Sequence, residues 1–199
     1  MRVLILSCNT GEGHNSCATA LQEYFTACGT HCDVDDALRF LSVGLSRFIS
    51  HWHTRIYRYV PNLFRKGYRF VEEHPAFLRE QSEVYRFLTS GAGQLHQFIQ
   101  EGGYDTIICV HTFAAFMVEV LLRQHQGAWQ TAFLATDYTC SPNGSSHGLD
   151  WYLIPDASLA EEFVRSGIPA EKLVSTGIPV RMGFQQRGDK ARAKADLGI

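Results

Sequence analysis

The sequence has no apolar run near the ~20 residues that a membrane-spanning helix requires. Met1-Arg2 leads straight into an apolar segment, without a charged leader and small-residue cleavage site, so no secretory signal is expected. Six cysteines are present (Cys8, Cys17, Cys28, Cys32, Cys109 and Cys140), but none forms a C-x-x-C pair. Cys28 and Cys32 lie four apart with no second close pair, which excludes the usual zinc frameworks. Reduced thiols, several of them buried, are the expectation. Net charge is only −2, so the chain lacks the positive excess of a general nucleic-acid binder. Repeats and low-complexity tracts are absent. These absences leave a globular chain in a reducing compartment, cytoplasmic or peripheral on the inner face of the cell membrane. The apolar share of 45% over 199 residues is enough for a real core.

What is present begins at Val3-Leu4-Ile5-Leu6, four apolar residues that read as a short buried strand. Ser7-Cys8-Asn9-Thr10-Gly11-Glu12-Gly13-His14 follows, and a helix is expected from about Asn15, with Asn15 or Ser16 as N-cap. Ala18, Leu21 and Phe25 fall on one face of that helix. Strand, glycine turn and helix start form a site suited to anions. Glycines let the backbone approach a ligand, and the helix N-terminus supplies free N–H groups and partial positive charge. His14 aims an ionisable ring at the same place. From these residues alone, a plain βα turn with a surface histidine stays open, because a two-glycine motif is short.

Further along, Cys32-Asp33-Val34-Asp35 reads as a second strand. From Ala37 to about Glu101 the spacing is helical, broken by Pro61 and Pro75, with one helix carrying Phe77 through Phe98 and ending at Gly102-Gly103. Strands are expected at Asp105–Val110, Gln130–Ala135, Trp151–Ile154 and Lys172–Ser175. Helices are expected at Phe113–Gln124 and Ser158–Ser166. This alternation predicts an α/β, Rossmann-like parallel sheet with helices on both faces, carrying a helical basic insertion. Ligands of such sheets bind beyond the carboxyl ends of the strands. His14, His111 and Asp137 all fall there, although a cap or turn role is open for the last two.

Between Ala37 and Val71 there are seven basic residues (Arg39, Arg47, Arg55, Arg58, Arg65, Lys66 and Arg69) and no acidic one. The rest of the chain carries 11 basic and 20 acidic residues. Phe48, Trp52, Tyr57, Tyr59, Phe64, Tyr68 and Phe70 interleave the cations. Cations among aromatics suit an anionic membrane surface, where each contributes about 1 kcal/mol. A helical subdomain with a solvated basic face, or stacking on nucleic acid, are the other readings of this window.

The Gly11-Glu12-Gly13-His14 loop, Leu134-Ala135-Thr136-Asp137-Tyr138 and Thr176-Gly177-Ile178-Pro179-Val180, in that order, resemble the N-terminal domain of monogalactosyldiacylglycerol synthases and processive diacylglycerol glucosyltransferases. The resemblance runs to about Phe184. It implies the N-terminal half of a GT-B fold, with residues 1–184 as the acceptor-binding domain and 185–199 as a linker into a missing C-terminal donor domain. It further implies transfer of a hexose from a UDP-sugar to diacylglycerol or a related lipid, with no cofactor and no required metal. His14 matches the family's proposed base, and Asp137 matches a second catalytic or acceptor-contacting acid. Gly11, Gly13 and Asn15 would lie at the donor diphosphate, and His111, Tyr138 and Pro142 at the acceptor cleft. Membrane contact would fall to Arg47, Trp52, Arg55, Arg58, Arg65, Lys66 and Arg69, and no nucleic acid is expected as partner. Two departures stand out: Glu12 interrupts the fuller glycine run of plant members, and Tyr138-Thr139-Cys140-Ser141-Pro142 keeps only the proline of their His-Pro-Thr-Trp element. Two other classes compete. One is a dinucleotide-binding oxidoreductase domain, with Asp35 placed about 20 residues beyond the glycines to contact a ribose. The other is a non-catalytic membrane-surface module.

Overall fold

The structure is a computed structural model. It describes residues 1–8, 12–42, 44, 82–125, 128–140, 148–184, 194–195 and 198. The elements run β1 (Arg2–Ser7), α1 (Glu12–Ala27), β2 (His31–Asp36), α2 (Glu83–Thr89), α3 (Ala92–Gly102), β3 (Thr106–Cys109), α4 (Thr112–Gln124), β4 (Gln130–Leu134), β5 (Trp151–Ile154), α5 (Ala160–Arg165) and β6 (Leu173–Ser175). Short 3-10 turns at Ala37–Phe40 and Met182–Phe184 follow β2 and β6. The six strands form one sheet in the order β2-β1-β3-β4-β5-β6, every pair parallel. This is the Rossmann-like sheet that the alternation predicts.

The apolar run of β1 is buried on both faces of the sheet, as a central parallel strand requires. Val3 and Ile5 pack with Cys17 and Ala18 of α1 and with Ile108 and Leu134 of the neighbouring strands. Leu4 and Leu6 face the other way, into a larger core with Leu95 and Ile99 of α3 and Phe116 and Met117 of α4. Helices therefore cover both faces. All six strands point the same way, so their carboxyl ends share one edge. The β1 exit, Val110-His111 after β3 and Thr136-Asp137 after β4 meet there. Among the described residues no helix is long and apolar enough to cross a membrane.

Three elements differ from the expectation. The helix α1 begins at Glu12, one turn before Asn15, so neither Asn15 nor Ser16 is its N-cap. The Asn15 side chain is used elsewhere: its Oδ1 accepts the Ser7 hydroxyl at 2.8 Å, tying the first turn of α1 to the end of β1. The helix expected through Phe98 is two helices, α2 and α3, broken at Ser90-Gly91. There the chain passes so near the 3-10 turn that a Cβ on Gly91 would lie 2.7 Å from the Phe40 carbonyl. The helix expected over Ser158–Ser166 is a 3-10 turn, Ala157–Leu159, capped by Asp156, followed by the short α5. Gly11, Pro142 and, in the basic window, Arg47, Trp52, Arg55, Arg58, Arg65, Lys66 and Arg69 lie outside the described residues, as does nearly all of 185–199.

Gly91→Ala is expected to destabilise the fold, because the new methyl meets backbone rather than a yielding side chain. A loss of about 1–3 kcal/mol, typical of an overpacked site, should show as a lower urea midpoint with unchanged slope. Wild-type stability in that variant would show that α2 and α3 are not parted by this contact.

Candidate active site

His14 stands in the first turn of α1, and its ring is fixed from the neighbouring strands. Its Nδ1 lies 2.8 Å from the carbonyl oxygen of Val110, just past β3. A carbonyl only accepts, so Nδ1 carries a proton, and in the neutral ring the lone pair is on Nε2. The Thr136 hydroxyl, just past β4, lies 2.9 Å from the same Nδ1 and shares that N–H as a second acceptor. The Val110 carbonyl is itself well placed: the Val110 amide donates to the Leu6 oxygen at 2.9 Å, extending the β1–β3 register. Among the described residues nothing is hydrogen bonded to Nε2. The ring is thus held through Nδ1 alone, and Nε2 is the nitrogen left for a ligand.

His111 packs beside this ring, centroids 4.7 Å apart at 68°. The Phe113 amide donates to its Nδ1 at 3.1 Å, so His111 is the N-cap of α4. The capping role left open by the sequence is thus present, and His111 supports the His14 ring without lining the cleft.

The cleft in front of His14 has a volume of about 290 Å³. Three segments line it: Gly13, His14, Ser16 and Cys17 of α1, Thr136-Asp137 after β4, and Ile178–Arg181 with Phe184 after β6. It is polar on the first two segments and largely apolar on the third. Gly13 has nothing within 4 Å of where a Cβ would stand, so its backbone is open to a ligand. Glu12 opens α1, where the positive end of the helix favours a carboxylate. Asp137 is exposed to the cleft, and Tyr138 beyond it is 68% exposed. Cys17 is buried, and burial together with the nearby Asp137 carboxylate pushes its thiol up. Burial also raises the Cys8 and Cys109 thiols. None of the three has the lowered pKa of a reactive thiolate.

Two carboxylates tie the segments that follow β4 and β6 to helices. Oε1 of Glu162, on α5, accepts from the Thr139 hydroxyl at 2.9 Å and the Cys140 amide at 2.6 Å. Glu23, on α1, accepts from Arg181 Nε and the Met182 amide, both at 2.9 Å. Those bonds hold both carboxyls below their ordinary values, the backbone amide being the largest cause in each. The stability they lend is present above the ordinary carboxylate pKa and is lost as pH falls through the lowered one.

The structure therefore brings His14, Gly13 and Asp137 into one cleft and sets His111 against it. Asn15 is engaged with Ser7. Thr136, Arg181 and Glu23 complete the arrangement without having been singled out. Thr136 lies within the Leu134–Tyr138 motif and Arg181 directly follows the Thr176–Val180 motif; Glu23 carries no local signal, since its partners are 158 and 159 residues away. Asp35, the acid a dinucleotide site needs, is instead half-buried and paired with Arg39 at 2.8 Å. Arg39 also packs on Phe40 and Phe98, so this one cation of the basic window is structural. No group of three or more metal-ligating side chains occurs among the described residues.

Comparison with known proteins bears on the family and the fold. The chain is 24% identical over 188 residues to the processive diacylglycerol beta-glucosyltransferase of Bacillus cereus (strain B4264), covering 92% of this chain and 46% of that protein. The protein of the same name from Bacillus cytotoxicus is 23% identical over the same coverage. The chain thus spans about half the length of the curated relatives it matches. Among solved structures, the apo form of the lipopolysaccharide outer core galactosyltransferase WaaB superposes with a TM-score of 0.53 at 9% identity, over 88% of this chain and 45% of that one. That likeness shows the fold, that of one half of a GT-B glycosyltransferase. The family described as monogalactosyldiacylglycerol (MGDG) synthase matches residues 14–180, a span that begins at His14 and takes in all three cleft segments but for Gly13 and the last residues of the wall, and the chain belongs to that family.

Proposed function

We propose that this chain is the acceptor-binding half of a glycosyltransferase that moves a hexose from a UDP-sugar to the free hydroxyl of diacylglycerol or a related lipid. The observation that carries the reading is His14, which lines the cleft and is held through Nδ1 by the Val110 carbonyl, so that its neutral ring carries the lone pair on Nε2. Membership of the family and the names of the Bacillus relatives support the substrate class. So does the cleft, where a hydroxyl fits the polar segments and a hydrocarbon fits Ile178, Pro179, Val180 and Phe184.

In this reading His14 Nε2 takes the acceptor hydroxyl's proton as the oxygen attacks the anomeric carbon. The bond from that carbon to the diphosphate oxygen breaks, and its electron pair leaves with UDP. The first turn of α1, open at Gly13, faces the growing negative charge. Asp137 contacts the acceptor. The donor is held mainly by the half that the relatives have beyond this length, so the 199-residue chain alone is expected to be inactive. The basic, aromatic window from Arg47 to Arg69 docks the domain on anionic lipid at the inner face of the cell membrane.

Replacing His14 by Ala in the protein with both halves should lower turnover by about 10²- to 10⁴-fold, the usual worth of a general base, with the circular-dichroism spectrum unchanged. Near-normal turnover would remove His14 from the chemistry. The purified 199-residue chain should transfer no sugar in a radiolabelled UDP-hexose assay, and measurable product would refute the division into halves. Vesicle flotation should show binding that requires anionic lipid and weakens as salt shortens the Debye length; equal binding to neutral vesicles would count against the membrane role.

A further inference from the structure

The third segment of the cleft is the least secured part of the site. Beyond Thr176, whose amide still bonds to the Ile154 oxygen, the chain leaves the sheet. Residues 177–184 contain only one 3-10 turn, and that turn is closed by a bond within the segment, Phe184 N–H to the Arg181 oxygen. Val180, Met182 and Phe184 are exposed. Among the described residues, apart from the Thr176 hydroxyl donating to the adjoining Gly177 oxygen, the hydrogen bonds that join 177–184 to the rest of the fold are the two to Glu23. Ile178 adds an apolar contact against the core beneath α1.

We infer that Glu23 is a positioning residue: it fixes the apolar wall of the cleft at a set place relative to His14. The reasoning is geometric. Glu23 and His14 stand on the same helix, nine residues apart, so a rigid rod of about 13 Å links the basic nitrogen to the anchor of the wall. One carboxylate oxygen takes the Arg181 Nε–H and the other the Met182 N–H, each at 2.9 Å. Two bonds to adjacent residues fix direction as well as distance, which a single bond does not. The Met182 amide is a backbone group, so the hold acts on the chain and not only on a long side chain that solvent would free. The lowered Glu23 carboxyl keeps the charged, two-acceptor form throughout the neutral range. The Asp137 segment has a separate tie to Glu162, so the two are independent anchors. Glu23 itself does not line the cleft and touches no reacting atom.

The test has an exchange arm and a kinetic arm. In hydrogen–deuterium exchange of the 199-residue chain, Glu23→Ala should speed exchange of the Met182 amide by about tenfold or more, as a local opening. Amides of β1 and β3 should keep their wild-type protection. Glu23→Gln, which retains one acceptor, should fall between. Glu162→Gln should leave Met182 unchanged. The kinetic arm rests on the proposed function and uses the protein with both halves: Glu23→Ala should raise the acceptor KM about fivefold with kcat within about twofold, the mark of lost uniform binding. Unchanged Met182 exchange would overturn the inference. So would faster exchange with an unaltered KM, or faster exchange spread across β1 and β3, either of which makes Glu23 merely structural. Absence of transfer by the wild-type protein would sink the proposed function instead, and the exchange arm would then decide alone whether Glu23 holds the wall.

Discussion

One hydrogen bond organises this molecule, the one from His14 Nδ1 to the Val110 carbonyl. It joins the start of α1 to the end of β3, across the β1–β3 strand pair. Its existence depends on the parallel register that sets Leu6 against Cys109, and so brings the Val110 carbonyl level with the first turn of α1. Shift that register by one residue and the inward and outward side chains of β3 exchange faces. Val3, Leu4, Ile5 and Leu6 forbid such a shift, because each is fully buried in one of two different cores. The apolar packing of the sheet thus sets the acceptor that holds a polar ring at its edge.

The same edge explains why the site is assembled from distant parts of the chain. Parallel strands place every strand exit on one side. His14, Thr136 and the segment after β6 are far apart in sequence, yet each is the first available chain beyond a strand or its turn. Backbone at strand exits has carbonyls no longer used in ladders. Val110 spends its carbonyl on His14, and the exits of β4 and β6, having no ladder, are tied by the carboxylates of Glu162 and Glu23. Charged acceptors suit this duty, since a carboxylate with two oxygens satisfies two donors at once and does so more strongly than a neutral group.

Much of this was legible in the residues, for stated reasons. Buried parallel strands are continuous apolar runs bounded by polar exits, so Val3–Leu6 and Trp151–Ile154 announce themselves. The polar exits in turn announce His14 and Asp137. The start of α1 was misread because Asn15 is a strong capping type, and its actual partner, Ser7, acts across the turn instead of within the helix. The break at Gly91 was unreadable for another reason. A glycine inside a helical pattern gives no sign of what lies against it, and here that is the backbone of Phe40, 51 residues earlier. Glu23 lies beyond local reading altogether: it looks like one more surface acid of an amphipathic helix, and only the returning chain at Arg181 gives it a role.

The cleft combines two kinds of surface that the sequence keeps separate. Its polar side comes from a helix start and a strand exit, both rigid parts of a sheet whose strands are buried. Its apolar side comes from a strap with little secondary structure of its own. A small polar substrate would need the first side only. An amphiphile needs both, with its hydroxyl and its hydrocarbon set apart by the geometry of the site. Family membership is consistent with the second kind of substrate. In the proposed reaction the apolar wall is more than cover for the base, since its distance from His14 sets which hydroxyl of a bound lipid reaches Nε2. Selectivity of that kind resides in backbone placement, and the two bonds that Glu23 accepts from Arg181 and Met182 start from the same helix as His14.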